Sequence, residues 1–316
     1  MAYAYLTLLD IAKLNADDRV IPLIEENLNV APEARILPAM TIPGTTYNTL
    51  IRSAFPQPSF RNVNEGTEPV KSTYANKLVQ CFYLDGQLEM DVAAARADSR
   101  GEQHALELEA SGIMQGALTK IGTQLWYGTG TGGDSKGFPG AVSVVDSSLV
   151  KDAGGTTADT ASSIYGLKLG DRFVNLVFGL GNVFTLGEWR KQFITRSSKE
   201  LEAWKNALNG YIGVQFVHKY SVGRIKKVTA DSGKTATDAL IGSWLSQFPV
   251  GMKPDVLFMS RRSAYQLQAS RSATSITNSA AKGNTGADVW APEPVSSNGI
   301  PIVITDSLLD TEALTL

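Results

Sequence analysis

Between positions 99 and 128, apolar residues recur at spacings of three and four: Leu106, Ala110, Ile113, Met114, Ala117, Leu118, Ile121 and Leu125. That period draws one buried stripe and predicts a single long helix from Ser99 to Gly128. Ser99 with Glu102 three residues on fits a capping box at its start, and Gly128 fits the left-handed position that closes it. At 1.5 Å per residue the rod spans about 43 Å. Gly112, Gly116 and Gly122 lie inside it, each costing about 1 kcal/mol relative to alanine. Packing along its length, not propensity, has to hold such a helix.

On either side the pattern changes. Residues 1–40 carry short amphipathic pieces, Leu6–Leu14 and Val20–Leu28, interrupted at Asn15–Asp18 and broken at Pro32 and Pro38; they suit an arm lying on another surface. Strands are predicted next, at Thr45–Arg52, Lys77–Leu84 and the strictly alternating Gln87–Val92. Between the first two lies a proline-bearing stretch, Phe55–Val70, with a polar tip from Arg61 to Gly66. A long two-stranded excursion is marginal in water on its own. It needs a surface to lie on, and the polar tip points to a neighbouring subunit; an ordinary hairpin folded back on its own domain is the alternative.

Beyond the helix a glycine-rich segment runs from Gly128 to Gly140, and residues 141–160 read as loop with one short strand. Strands at Ser163–Leu169 and Arg172–Phe178 flank Gly170-Asp171, a two-residue hairpin signal. Glu188–Tyr211 mixes charge and aromatics, with Trp189, Phe193 and Trp204 expected inward and charges of both signs on a solvated face. Strands Val214–Val217 and Val222–Thr229 follow. The last third alternates: helix Asp238–Phe248, strand Val256–Met259, helix Ser263–Arg271, a Ser/Thr/Ala/Asn/Gly-rich loop Ser272–Asn298, and strand Ile300–Thr305. This order describes a compact α/β subdomain.

Composition narrows the class. The chain has 316 residues, 43% hydrophobic, with a net charge of −2, enough for about two domains and too balanced for a dedicated nucleic-acid binder. One cysteine, Cys81, excludes an internal disulfide and fits a reducing compartment. No apolar run approaches the ~18 residues of a membrane span, and no secretory leader is legible; the expectation is a cytoplasmic product without a membrane partner.

Three motifs suggest chemistry and lack its context. Gly133-Asp134-Ser135-Lys136-Gly137 matches a nucleophile elbow, with Asp171 and His218 following in hydrolase order, but a helix precedes it and a loop follows. Gly128, Gly130 and Gly133 fit a dinucleotide fingerprint with the same defect. Gly233-Lys234-Thr235 sits between strand and helix as a phosphate loop does, yet Val228 occupies the position of its first glycine. His104 and His218 are too few and too far apart for a histidine metal site, and Cys81 reads as a small buried hydrophobe. No catalytic residue, cofactor or metal is expected.

The run Phe55-Pro56-Gln57-Pro58-Ser59-Phe60-Arg61-Asn62-Val63-Asn64-Glu65-Gly66, then Leu125-Trp126-Tyr127-Gly128 with Gly137-Phe138-Pro139-Gly140, Ala161–Tyr165 through Gly181, and Gly299–Asp306 together resemble the major capsid proteins of tailed bacteriophages, the shell-forming family typified by phage Hong Kong 97. The resemblance covers most of the chain in order. It implies an α+β fold with an N-terminal arm (1–43) and an extended β-hairpin loop (44–80). A peripheral domain (81–228) would hold a spine helix (99–127) and a β-rich segment, followed by an axial domain (229–299) and a C-terminal strand and tail (300–316). It also implies self-assembly into hexamers and pentamers of an icosahedral head around double-stranded DNA, built in the host cytoplasm, with scaffold, portal and decoration proteins as further partners. Arg61, Asn62, Asn64, Glu65 and Gly66 are the expected intersubunit contacts, with Arg61 as the charge partner. Some family members crosslink a loop lysine to an asparagine of a neighbour, and Lys71 and Lys77 lie in or beside the loop. A nanocompartment shell of the same fold is the alternative; an enzyme using Ser135 or the Gly233 turn is the more distant one.

Overall fold

The computed structural model describes residues 31–181, 183, 185–196, 198–281 and 291–316; the amphipathic pieces predicted at Leu6–Leu14 and Val20–Leu28 lie outside them. After a short helix α1 (Glu33–Ile36) come strands β1 (Ala39–Thr41), β2 (Thr46–Ala54), β3 (Thr73–Gln80) and β4 (Phe82–Asp91), then helices α2 (Val92–Arg96) and α3 (Glu102–Tyr127). Helix α4 (Ala141–Val144) leads to β5 (Val150–Asp152), β6 (Ser162–Leu167), β7 (Val174–Phe178), β8 (Thr185–Leu186), β9 (Arg190–Arg196), β10 (Lys199–Phe216) and β11 (Val222–Val228). The chain ends with α5 (Asp238–Leu245), β12 (Val256–Met259), α6 (Arg261–Ala281), β13 (Ser296–Ser297) and β14 (Ile300–Ile304).

Among the described residues the strands form two larger sheets and a separate pair. One sheet has the order β1-β7-β10-β4, with β8 and β9 also on β10; the other runs β13-β14-β12-β6-β11-β5; β2 pairs only with β3. Helix α3 is the predicted rod, about 39 Å at 1.5 Å per residue. Leu106, Ala117, Ile121 and Leu125 of its stripe are buried, and Ala110, Ile113, Met114 and Leu118 are half-buried. Its middle lies on β4, and its C-terminal turn enters the main core beside Tyr165, Phe258 and Val214.

Several expectations need correction. Helix α3 starts at Gly101 (φ +101°) with no side-chain cap, so Ser99 and Glu102 form no capping box. Glu102 instead accepts a hydrogen bond from the Trp204 indole and lies 3.6 Å from Lys191. The start is pinned from outside the helix, by His104 Nδ1 at 2.9 Å from the buried Asp98 carboxylate. The strand expected from Lys77 to Leu84 is broken at Cys81, whose amide donates to Thr45 O as the chain passes from the β2–β3 pair into the sheet. Gly170-Asp171 makes no hairpin: β6 and β7 belong to different sheets. Both strands are buried at every residue and each already has a partner on both edges, so neither has an edge left for the other. Phe193 is exposed rather than inward, because alternation along β9 puts its neighbour Ile194 on the buried face instead; Trp189 and Trp204 do pack on Met90 and Leu106. Helix α6 runs on to Ala281, through the first part of the segment expected to be loop.

Two buried carboxylates tie the chain's far segments to the end of α3. Trp126 Nε1 donates to Glu33 Oε1 (2.8 Å), which also accepts from the Thr305 hydroxyl. The adjacent Tyr127 hydroxyl donates to Glu312 Oε1 (2.7 Å). Glu312 Oε2 accepts from Ser163 Oγ (2.5 Å) and Arg224 Nη2 (3.2 Å). Burial, and after it the neighbouring carboxylate, push the Tyr127 hydroxyl well above its ordinary range, so it stays a donor. Gly122 now has a reason: a Cβ there would stand 2.4 Å from Ser307 Oγ and 3.0 Å from Glu33 Oε2.

Removing one partner of a buried ion pair strands the other charge, typically at 3–5 kcal/mol. Glu312→Ala is therefore expected to destabilise the unassembled chain by about 3–5 kcal/mol, and Glu312→Gln by less, because it keeps a partner for Tyr127 and Ser163. Urea unfolding followed by tryptophan fluorescence measures both.

Candidate assembly surfaces

The β2–β3 pair is a finger whose root is fastened and whose outer part is bare. At the root Tyr47, Ile51 and Val79 pack on Ile42, Cys81, Val177 and Val217, and the Tyr47 hydroxyl donates to Gln215 on β10. Burial raises both the Tyr47 hydroxyl and the Cys81 thiol; Cys81 is the buried hydrophobe the sequence suggested. Farther out the pairing slips by one residue between Arg52 and Ala54. There the Arg52 guanidinium sits 5.4 Å from the ring centres of both Phe55 and Tyr74. From Arg52 to Lys71 every residue is exposed.

Arg61, Asn62, Asn64, Glu65 and Gly66 lie together at the tip. They hold one another in a turn: Glu65 N donates to Asn62 O (3.2 Å), Asn62 N to Glu65 Oε2 (3.2 Å), and the Arg61 guanidinium to Glu65 O. Asn64 takes the left-handed conformation (φ 71°), which asparagine tolerates better than most residues. The turn displays Phe60 and Val63, with relative exposures of 108% and 88%. Sequence reasoning, attending to the polar positions, passed over these two; an aromatic and a valine inside a polar tip were the available signal. Exposed apolar side chains gathered on a projection mark a surface meant for another protein.

The motifs that suggested catalysis turn out to be packing devices. A Cβ on Gly128 (φ +56°) would lie 1.9 Å from Gly140 N, and one on Gly133 would lie 1.8 Å from Gly128 O. The glycines let the loop close on itself. Gln124 fills its centre, donating to Phe138 O (2.8 Å) and Asp134 O (3.1 Å) and accepting from Asp134 N (2.8 Å). Ser135 is exposed on that loop. Asp171 accepts from Asn175, and His218 Nδ1 accepts from Tyr220 N (3.1 Å) while burial lowers its pKa. Each candidate triad member has its own local structural setting.

At the Gly233 turn, the amides of Thr156 and Thr157 are filled from within. Asp231 accepts from both (2.8 and 3.2 Å) and from the Thr157 hydroxyl (2.6 Å), which holds its carboxyl well below the usual range, the Thr157 hydroxyl first among the causes. Within the turn itself Lys234 N donates to Asp231 O (3.0 Å) and Thr229 N to Lys234 O (3.2 Å), which takes these amides from any anion. No group of three or more potential metal ligands occurs among the described residues, and none of their helices is long and apolar enough to cross a membrane.

The backbone superimposes on a chain from the structure of bacteriophage Epsilon15 with a TM-score of 0.74 at 18% identity, covering 99% of this chain and 98% of that one; the fold is the Hong Kong 97-like capsid fold. Lower scores link it to a chain from Mycobacterium phage Bobi (TM-score 0.48, 11% identity, 70% and 98% coverage) and to an encapsulin complex from Synechococcus elongatus (0.47, 9%, 72% and 98%); these add nothing to the assignment. No curated protein matches the chain. The sequence model of the family described as major capsid protein GP7 matches residues 19–315, so the chain belongs to that family: it is a phage major capsid protein.

Gln124→Leu leaves two carbonyls and one amide of the glycine loop without their partner, at about 1–3 kcal/mol for an unsatisfied buried group. Its urea midpoint is expected to fall accordingly, while Ser135→Ala leaves the midpoint unchanged.

Proposed function

We propose that copies of this chain assemble into hexamers and pentamers of an icosahedral head enclosing double-stranded DNA, with the finger tip as a contact between neighbouring subunits. The observation that carries this is the unbroken exposure from Arg52 to Lys71. Two strands carrying bare Phe60 and Val63 leave apolar area in water that a neighbour would cover, at roughly 25 cal/mol for each Å². Arg61, Asn62, Asn64, Glu65 and Gly66 shape the tip and border that contact. Many such contacts, each weak, add through multivalency into a shell that rarely loses a subunit.

In this reading residues 1–43 are an arm, 44–80 the extended loop, 81–228 a peripheral domain, 229–299 an axial domain and 300–316 a closing strand and tail. The protein works without catalysis, cofactor or metal. Its near-neutral charge suits a wall that faces packed DNA without gripping it. Scaffold, portal and decoration proteins are partners of the assembling shell in the host cytoplasm.

Deleting residues 56–70 is expected to leave the chain folded, with an unchanged circular dichroism spectrum, and to abolish shells in negative-stain microscopy. Normal shells from that deletion refute the role given to the finger. Ester hydrolysis and nucleotide binding by the intact chain should both be indistinguishable from Ser135→Ala and Lys234→Ala controls.

A further inference from the structure

We propose that Asn298-Gly299, the turn between β13 and β14, is a site of covalent self-modification, at which the Asn298 side chain loses its amide and becomes an acid. The chain holds two Asn-Gly steps, Asn209-Gly210 and Asn298-Gly299. Glycine after asparagine has no side chain to hinder its own nitrogen from reaching the asparagine side-chain carbonyl. The fold treats the two steps differently.

Asn209-Gly210 lies inside β10, in register with Asp85 and Leu84 of β4 on one edge, and Asn209 faces Thr185 of β8 on the other. Cyclisation there has to wait for the strand to open, and opening the middle of a sheet approaches the cost of global unfolding. Asn298-Gly299 is the whole of a two-residue connection, flanked by the pair Ser297 and Ile300. Both residues are exposed and both take positive φ, 49° and 76°, as a type I′ turn requires. The Gly299 amide, the attacking group, makes no hydrogen bond among the described residues. Strand β13 beside it is only two residues long, so this turn opens at little cost.

The step balances with water and hydroxide alone. Hydroxide takes the proton from Gly299 N, and that nitrogen forms a bond to Asn298 Cγ. The Cγ–Nδ2 bond breaks, and the departing nitrogen takes a proton from water and leaves as ammonia. Water then opens the five-membered imide at one of its two carbonyls. One opening gives an aspartate; the other reroutes the main chain through the side chain as an isoaspartate. Because the first event needs hydroxide, the rate rises with pH.

The product is placed to loosen the hairpin. Asn298 Nδ2 donates to the Asp238 carbonyl oxygen (3.2 Å) and to Ser297 Oγ (3.1 Å). The side chain rests on α5 at Gly242, where an added Cβ would come 3.5 Å from Asn298 Oδ1. A carboxylate only accepts, so the bond to Asp238 is lost and oxygen faces oxygen. The new charge also stands beside the Asp238 carboxylate, to which the same Ser297 hydroxyl donates (2.6 Å) and which Arg271 already holds (2.7 and 2.8 Å). An isoaspartate adds a backbone carbon for which a two-residue turn has no room.

The full chain, kept native at mildly alkaline pH and then digested, tests this by peptide mass mapping. The peptide containing Asn298 should gain the mass of amide-to-acid conversion, faster as pH rises, while the peptide containing Asn209 stays unchanged. In urea both should convert at similar rates. Conversion of Asn209 as fast as Asn298 in the native chain, or an unchanged Asn298 where the urea sample converts, overturns the proposal. Asn298→Asp makes the product directly, and its urea midpoint should fall below that of the wild type. Asn298→Gly keeps the left-handed turn, adds no charge and should fall less. An Asn298→Asp midpoint equal to wild type overturns the consequence assigned to the modification.

Discussion

Everything converges on the last turn of the long helix. Trp126 and Tyr127 are adjacent, point to different sides, and each donates to a buried carboxylate brought from a distant part of the chain: Glu33 from near the start and Glu312 from near the end. A buried carboxylate is costly unless its oxygens are fully engaged, so these two are useful only in the complete arrangement. With Arg224 and Ser163 in place beside Glu312, and Thr305 and Ser307 beside Glu33, early and late segments are held to one rigid rod. That rod then presents β4 and the finger root in a fixed direction. The polar network sets the geometry; the apolar core around Tyr165, Phe258 and Leu125 supplies the burial.

What could be read without coordinates follows from where the information is local. The helix and the alternating stretch of β4 announce themselves by period, because one face of each is more buried than the other. Local signals fail where partner choice is non-local. Gly170-Asp171 looks like a hairpin turn, and only the filled edges of β6 and β7 show that the chain is changing sheets. Ser99 and Glu102 have the right spacing for a cap, but Trp204 and Lys191, about a hundred positions away, claim the glutamate. The tip was legible as a projection. Its apolar content was not, because a polar run draws attention from the two side chains it displays.

Glycine shows the same division. Gly112 and Gly116 have nothing within contact distance of an added Cβ, while Gly122 and the Gly128–Gly140 loop have no space for one. A motif search treats all of these alike. Physically, Gly122 lets the Glu33 network approach the helix, and Gly128 and Gly140 let the loop fold onto Gln124. The phosphate-loop resemblance at Gly233 fails for a related reason: amides of the turn already close on its own carbonyls, Lys234 N on Asp231 O and Thr229 N on Lys234 O. In each instance a buried or self-satisfied neighbour accounts for the residues that chemistry seemed to require.

The finger is set apart by the length of its bare run: every residue from Arg52 to Lys71 is exposed, Phe60 and Val63 among them, and Lys77 at the root sits half-buried. A ribbon of two strands has no second layer with which to correct this, and sliding β2 against β3 would turn the Tyr47–Val79 face away from the core it anchors. No rearrangement within one chain both keeps the root and buries the tip. A single copy cannot bring them together because the strands between them are rigid and extended. The same rigidity that leaves the monomer incomplete fixes the spacing at which the next copy must stand.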